Sequence, residues 1–361
     1  KLKSQFVSIN DALESYFNNL RFLKTKIKKT KLSQNNKAFL VSSFIVVLII
    51  SYFLIPTLYN KDLIQSEIKN QVLKKYNIGI KFNEKIKYGL LPKPHFVAKN
   101  LSILRDKKEI GITNKLKIFV KTGKLFSIDR IEVKDLIFNK TDFNLQEEDL
   151  VFFSDLLKTE PSDNKIIIKN SQIFFKNDSE EILFINKIKK SEFYYDAVNL
   201  VNILSSKNEI FNVPYKLVIK NDKFNKLVTS KFNSQKIRLN IENEISYDSE
   251  IQEGLMDILF VNKTTALEYN LKKNSLTFST ENQKNKFNGS IEFKPFYLKA
   301  NFNYDGISTK NLFNEDSILS NVIKSEVLNN ENLNVNVNLN VRDIVNVSEL
   351  NDLFLNLAIE S

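Results

Sequence analysis

The chain has no cysteine and no tryptophan, and only one histidine, one methionine, six prolines and seven glycines in 361 residues. Without cysteine there is no disulfide framework and no thiolate metal site, and the redox compartment stays open. One histidine excludes His-based metal clusters, a dyad with a second histidine and most zinc hydrolase patterns. No Gly-rich phosphate loop appears, nor any G-x-S-x-G, H-E-x-x-H, Walker or dinucleotide fingerprint. The acid pairs Glu147/Glu148 and Glu180/Glu181 sit in polar helix-start or turn contexts. Asn-x-Ser/Thr triplets at Asn100, Asn139, Asn177 and Asn262 are expected by chance at this asparagine content. The chain thus reads as non-enzymatic, with no cofactor and no metal. Lys, Asn, Ile and Phe abound while residues with GC-rich codons are scarce, so coding bias explains part of the +11 net charge.

One long apolar run stands out. Residues 38–60, AFLVSSFIVVLIISYFLIPTLYN, carry no charge, and as a helix they would extend about 34 Å, enough for a hydrocarbon core of about 30 Å. Lys37 and Lys61 bracket the run, and Pro56 lies near its far end. Residues 1–37 hold nine Lys/Arg against Asp11 and Glu14, whereas residues 61–361 hold 44 Lys/Arg against 40 Asp/Glu. The positive-inside rule therefore predicts a cytoplasmic arm and a large region on the other side of the membrane. The net charge is a topology signal, and nucleic-acid binding does not follow from it. Within the arm, Phe6, Ile9, Leu13, Phe17, Leu20 and Leu23 recur at helical spacing.

After the membrane, KDLIQSEIKNQVLKKY (residues 61–76) spaces Ile64, Ile68 and Val72 four apart with Leu73 beside them. It reads as an amphipathic helix leading away from the bilayer. From Ile78 the period becomes two. Leu116, Ile118 and Val120 alternate with polar neighbours, and IEVKDLIF and KIIIKNSQIFF continue the pattern. Phe287, Gly289, Ile291 and Phe293 share one face of FNGSIEF. Phe296, Leu298, Ala300, Phe302 and Tyr304 do so in PFYLKANFNY, and Val335, Val337 and Leu339 in NLNVNVNLNV. Such alternation marks antiparallel strands with one wet and one apolar face. Two short helices are expected, in EEDLVFFSDLLK and NEDSILSNVIKSEVLN, and no βαβ spacing is evident. The reading is one continuous β unit over residues 77–361, joined by Asn, Lys, Asp and Ser turns.

Few helices cannot cover the apolar face of roughly fifteen strands, which costs about 25 cal/mol per Å² if left in water. Either the sheet closes on a second sheet as a sandwich, the outcome that pattern alone favours, or it curls into a trough covered by something else. In YGLLPKPHFVAKNLSIL, Pro92 and Pro94 fix φ and predict a rigid bend between two strands at an edge. Phe96 and Ala98 then resume the strand, with a break near Asn100, and His95 reads as an exposed or edge bystander.

The order of parts resembles the AsmA family of bacterial envelope proteins. A basic arm, one span and a helix lead to YNIGIKFNEKIKYGLLPKPHFVAKNLSILRD, then GITNKLKIFVKTGKLFSIDRIEVKDLIFNK and KIIIKNSQIFFKNDSEEILFINKIKKSEFYYD. The tryptophan often found near the proline motif is missing, and the arm is longer than usual. The resemblance implies a mainly β fold: one N-terminal transmembrane helix, then an elongated, curved antiparallel sheet with a few short amphipathic helices. That sheet would form a taco-like groove of the bridge-type lipid transfer proteins, with a chorein-like N-terminal unit. It implies an inner-membrane protein held by residues 38–60, periplasmic in bulk, carrying phospholipid acyl chains toward the outer membrane, with possible envelope partner proteins. The implied lining is Leu116, Ile118, Val120, Phe287, Ile291, Phe293, Phe296, Leu298, Phe302, Val335, Val337 and Leu339. The alternative is an envelope scaffold or assembly factor built on a closed β-sandwich without lipid. The chain starts at Lys1 and ends at Ser361 inside a regular pattern, so it is expected to be a piece of a longer protein.

Overall fold

The structure is a computed structural model. It describes residues 34–361 apart from 159, 161–162, 178, 248–251, 261–262, 281–285, 294–295, 309–319, 321–333, 346–351 and 360–361. The apolar stripe of the N-terminal arm and nearly all of NEDSILSNVIKSEVLN lie outside the described residues. Two compact units are present, Lys1–Leu58 and Tyr59–Ser361.

In the first unit, α1 (Gln34–Leu54) runs into a 3-10 turn, Ile55–Leu58, at Pro56. Ala38–Leu58 is long and apolar enough to cross a membrane. Phe39, Phe44 and Val47 are exposed on it, whereas a core helix of a soluble domain buries one apolar side.

The second unit opens with α2 (Lys61–Tyr76). Asn60 caps its start, its side chain accepting from the backbone N–H of Asp62 and Leu63, and Asn77 ends it in the left-handed region at φ 55°. Ile64, Ile68, Val72 and Tyr76, each one turn apart, form the buried stripe, and Leu73 faces solvent. The helix does not lead away freely, because it is fastened to residues 131–134. Gln71 donates to the Ile131 carbonyl and accepts from the Val133 N–H (2.5 and 2.8 Å), and the Tyr76 hydroxyl donates to the Lys134 carbonyl (2.8 Å).

Glu132 sits at this joint with Lys75, Lys121 and Lys124 at 3.3, 2.6 and 2.8 Å. Hydrogen bonds from Lys121 and Lys124, with a smaller one from Lys75, pull its carboxyl from the ordinary 4.5 down to about 2. A depressed carboxylate stabilises the fold above its unfolded pKa, and that contribution disappears as pH falls through the folded value. Glu132→Gln should therefore cost about 1–2 kcal/mol at pH 7 after screening by solvent. Urea unfolding of both proteins should show the difference shrinking below pH 4.5 and nearly gone at pH 2; a constant difference across that window would refute the assignment.

The remaining chain is almost entirely strand. In order these are β1 (Gly79–Lys81), β2 (Lys87–Gly89), β3 (His95–Arg105), β4 (Lys108–Val120), β5 (Val133–Leu145), β6 (Ile166–Lys176), β7 (Ile182–Asp196), β8 (Val201–Ile210), β9 (Val213–Asp222) and β10 (Leu227–Ser234). They continue as β11 (Leu239–Ser246), β12 (Gln252–Phe260), β13 (Lys263–Leu271), β14 (Ser275–Ser279), β15 (Lys286–Phe293), β16 (Phe296–Tyr304), β17 (Ile307–Ser308), β18 (Asn334–Val341), β19 (Ile344–Val345) and β20 (Leu353–Ile359). Eighteen of them form one sheet, and β17 pairs with β19 in a separate two-stranded piece. From β3 onward each strand of the large sheet lies beside the next of its strands in the chain. β1 and β2 share the outer edge of β3.

Two junctions depart from the expected meander. β5 and β6 are parallel, as are β16 and β18. A parallel pair needs a crossover of a dozen residues or more, and residues 146–165 provide the first one through α3 (Val151–Leu157). A crossover unit with a helix is therefore present where the sequence suggested none. Phe152, Leu156 and Leu157 are buried, and the last turn is anchored from the sheet. Asn202 and Asn221, opposite each other on β8 and β9, both donate to the Leu157 carbonyl (2.9 and 3.1 Å). They satisfy an orphan carbonyl of the helix end.

Pro92 and Pro94 lie in the bend between β2 and β3, so the motif does precede a strand. His95 is not exposed. It is the first residue of β3, between β2 and β4, with its ring against Phe119 (centroids 5.3 Å) and Nδ1 2.8 Å from the Lys93 carbonyl. Gly89 sits directly opposite, and the absent Cβ there leaves the space that the imidazole fills.

The long strands β3 to β6 are creased along one line. Asn100, Lys140 and Asn170 have φ of 46°, 56° and 49°. The flanking pairs place Asn100 opposite Asn114, Asn114 opposite Lys140, and Lys140 opposite Asn170. Alternation slips by one residue there, so Phe138 before the crease and Thr141 after it are both buried. No glycine has positive φ, and Asn77, Asn100, Asn170 and Asn212 are among the residues that do. Asparagine tolerates the left-handed region best after glycine, which accounts for Asn-rich turns in a glycine-poor chain.

Candidate functional site

The candidate site is the apolar face of the large sheet. Register follows it without interruption: Leu116, Phe138, Ile168, Ser191, Ser206, Leu217, Phe232, Ile241, Ile258 and Thr265 are successive cross-strand neighbours. Thr265, Leu267 and Tyr269 alternate as buried residues on β13. Tyr269 then leads through Phe278, Gly289, Ala300 and Val337 to Leu357. Every inward position belongs to this one face because the pleat alternates and the pairing keeps step.

Burial changes along it. Leu116, Ile118 and Val120 are fully covered, at the end of the sheet that carries α2. They belong to ordinary core and offer no free surface. Ile291, Phe293, Phe296, Leu298, Phe302, Val335, Val337 and Leu339 are instead half-buried, and Phe287 is buried. These nine are brought together: Phe287 lies opposite Phe302 and Phe302 opposite Leu339, while Ile291, Leu298 and Val335 form a parallel row. The inward residues of β9 to β14, such as Leu217, Phe232, Ile241, Met256 and Phe278, connect the two groups and were not singled out from sequence. Their signal was present in the alternation of VPYKLVIKND and LNIENEIS.

The face is nearly free of charge. From β8 to β20 the register places no charged residue at an inward position among the residues whose side chains the structure describes. The phenols that point inward are held neutral. Burial pushes Tyr304 up to about 12, and it raises Tyr215 and Tyr269 as well. Two glycines widen the floor. The Tyr269 ring covers Gly254 and the Phe278 ring covers Gly289, where any Cβ would collide with the aromatic ring. Tyr269 and Phe278 are themselves paired, so two rings lie splayed across four strands.

The sheet also curls inward. Leu183 on β7 and Ile359 on β20 share a cluster with Phe175, Phe184, Phe211, Phe296 and Val335. β7 and β20 are eleven strand steps apart, which in a flat sheet at about 4.8 Å per step would separate them by about 50 Å. Accumulated twist brings them together instead. Inward residues of both ends thus meet in one cluster. Among the described residues the large sheet is continuous in its hydrogen bonding, and the only other pairing is β17 with β19.

Among the described residues no group of three His, Cys, Asp or Glu converges as metal ligands. No protein-family model matches the chain, and no curated protein matches it.

Proposed function

We propose that this is a membrane-anchored, non-catalytic lipid carrier of the AsmA type, whose concave apolar face forms a taco-like groove for phospholipid acyl chains. Chains lie on the apolar face while head groups remain in solvent, and lipid passes along the groove between the inner and outer membranes. The observation that carries this reading is the run of uncharged, mostly half-buried inward residues from Leu217 on β9 to Leu357 on β20. Such a strip is expensive in water and cheap under hydrocarbon. The single candidate span supports anchoring, and the basic arm favours a cytoplasmic N-terminus with the sheet in the periplasm.

The test is extraction of the purified full-length protein with organic solvent, followed by mass spectrometry for phospholipid. Lipid in at least stoichiometric amount, held through exchange into a second detergent, is the expected result. A stable protein free of lipid would favour the envelope scaffold, with the apolar face closed on itself.

A further inference from the structure

The convex face carries a pattern as regular as the concave one. Lys99 lies opposite Lys115, Lys115 opposite Asn139, Asn139 opposite Lys169, Lys169 opposite Lys190, Lys190 opposite Lys207, and Lys207 opposite Lys216. Six lysines thus stand in one cross-strand line over β3 to β9, spanning about 30 Å at the usual strand spacing. Each is next in sequence to an inward residue, which puts all six on the outer face. Lys190 pairs with Glu192 at 2.6 Å. Lys99, Lys115, Lys169, Lys207 and Lys216 have no carboxylate within salt-bridge distance among the described residues, although Lys187 and Lys189 nearby share Glu209.

Like charges directly opposite each other on a sheet are destabilising. Further along the same face Lys231 is matched by Glu242 at 2.8 Å, and carboxylates gather on β11 to β13 at Glu242, Glu244, Asp257 and Glu268. The unpaired lysines of the outer face thus concentrate over β3 to β9, and carboxylates outnumber lysines over β11 to β13. Coding bias raises the number of lysines but does not sort them into one register line.

We propose that this lysine line is a docking surface for the anionic headgroups of a phospholipid bilayer. Carried on strands about 5 Å apart, with Asn139 the one gap in the line, the ammonium groups meet phosphate oxygens as point charges with three donors each. The chain carries its own candidate membrane span, so a headgroup surface is the polyanion present at the highest effective concentration. The surface is independent of the concave groove, and the two can fail separately.

The experiment uses the full chain in nanodiscs of phosphatidylcholine and measures binding to vesicles, with and without phosphatidylglycerol, by co-sedimentation. The variant replaces Lys99, Lys115, Lys169, Lys207 and Lys216 by Gln, leaving the basic N-terminal arm intact as an internal control. One lysine at an anionic surface contributes about fivefold in affinity, so incomplete additivity over five predicts a loss of at least about 100-fold on phosphatidylglycerol vesicles. Binding of the wild type should also weaken steeply with salt. Lipid held in the groove and thermal stability should stay level or rise, since the substitutions remove repulsion from an exposed face. Undiminished vesicle binding by the variant would overturn the proposal. So would a wild type that ignores vesicles but binds a soluble polyphosphate through the same lysines, which would assign the line to a linear polyanion.

Discussion

Val337→Asp should empty the groove while leaving the protein in the membrane. Val337 lies on β18 between Ala300 of β16 and Leu357 of β20, facing inward and half-buried. A carboxylate there has no cation to pair with on a nearly uncharged face, and hydrocarbon laid over it would have to desolvate it. Phospholipid co-purified with the variant should drop at least about tenfold, and transfer between vesicles should fall with it. Lys299→Asp is the control, one residue away on β16 but on the wet face; it should leave bound lipid unchanged. Normal lipid content in Val337→Asp, with far-UV circular dichroism like wild type, would remove position 337 from the path. Loss of the fold instead would mark Val337 as packing, and a smaller change, Val337→Ser, would then separate the two roles.

The largest expected effect on stability lies at the other end of the sheet. Ile68 is fully buried at the centre of the α2 stripe. Ile68→Ala removes three carbons from a site framed by a helix hydrogen-bonded to β5, so the cavity cannot easily collapse. The cost should be about 3–4 kcal/mol in urea unfolding. Leu73→Ala, exposed on the same helix, should move stability by no more than about 0.5 kcal/mol. Equal effects at the two positions would mean that α2 does not pack through the Ile64–Ile68–Val72–Tyr76 stripe.

Those two residues also show where sequence reading works and where it stops. Spacing by four predicted the helix and three of its four buried positions, because a stripe is a property of one element. Leu73 sits beside the stripe in angle, and only the docked position of α2 tells that it faces water. Period-two alternation likewise located the strands and faces of Phe296 to Tyr304 and Val335 to Val341, since the pleat fixes direction residue by residue. The parallel joints at β5/β6 and β16/β18 were not legible, because pairing direction depends on where a crossover returns. Burial of His95 was missed for a related reason: its cover comes from Phe119 and from a glycine on another strand. The break near Asn100 was visible, but its alignment with Lys140 and Asn170 needs the register of four strands. Of the twelve positions named from the sequence, nine come together on the inward face of β15 to β18, while Leu116, Ile118 and Val120 are buried on the same face far from them. Residue type alone cannot separate a lining valine from a packed one, since both are apolar and alternate identically.

The order of strands has a consequence for how this molecule forms. From β3 to β20 each strand's partner is its neighbour in sequence, except that short β17 and β19 are skipped. Loop closure is therefore inexpensive at every step, and the contact order is low for a β protein of this length. The sheet can grow one hairpin at a time from the helix-covered end, each new strand templated by the exposed edge of the last, much as a repeat array propagates. Among the described strands two parallel joints, β5 to β6 and β16 to β18, must wait for a longer excursion. Those joints should be the slow points of assembly, and a chain stalled at either one would expose an unpaired strand edge of the kind that invites pairing with a stranger.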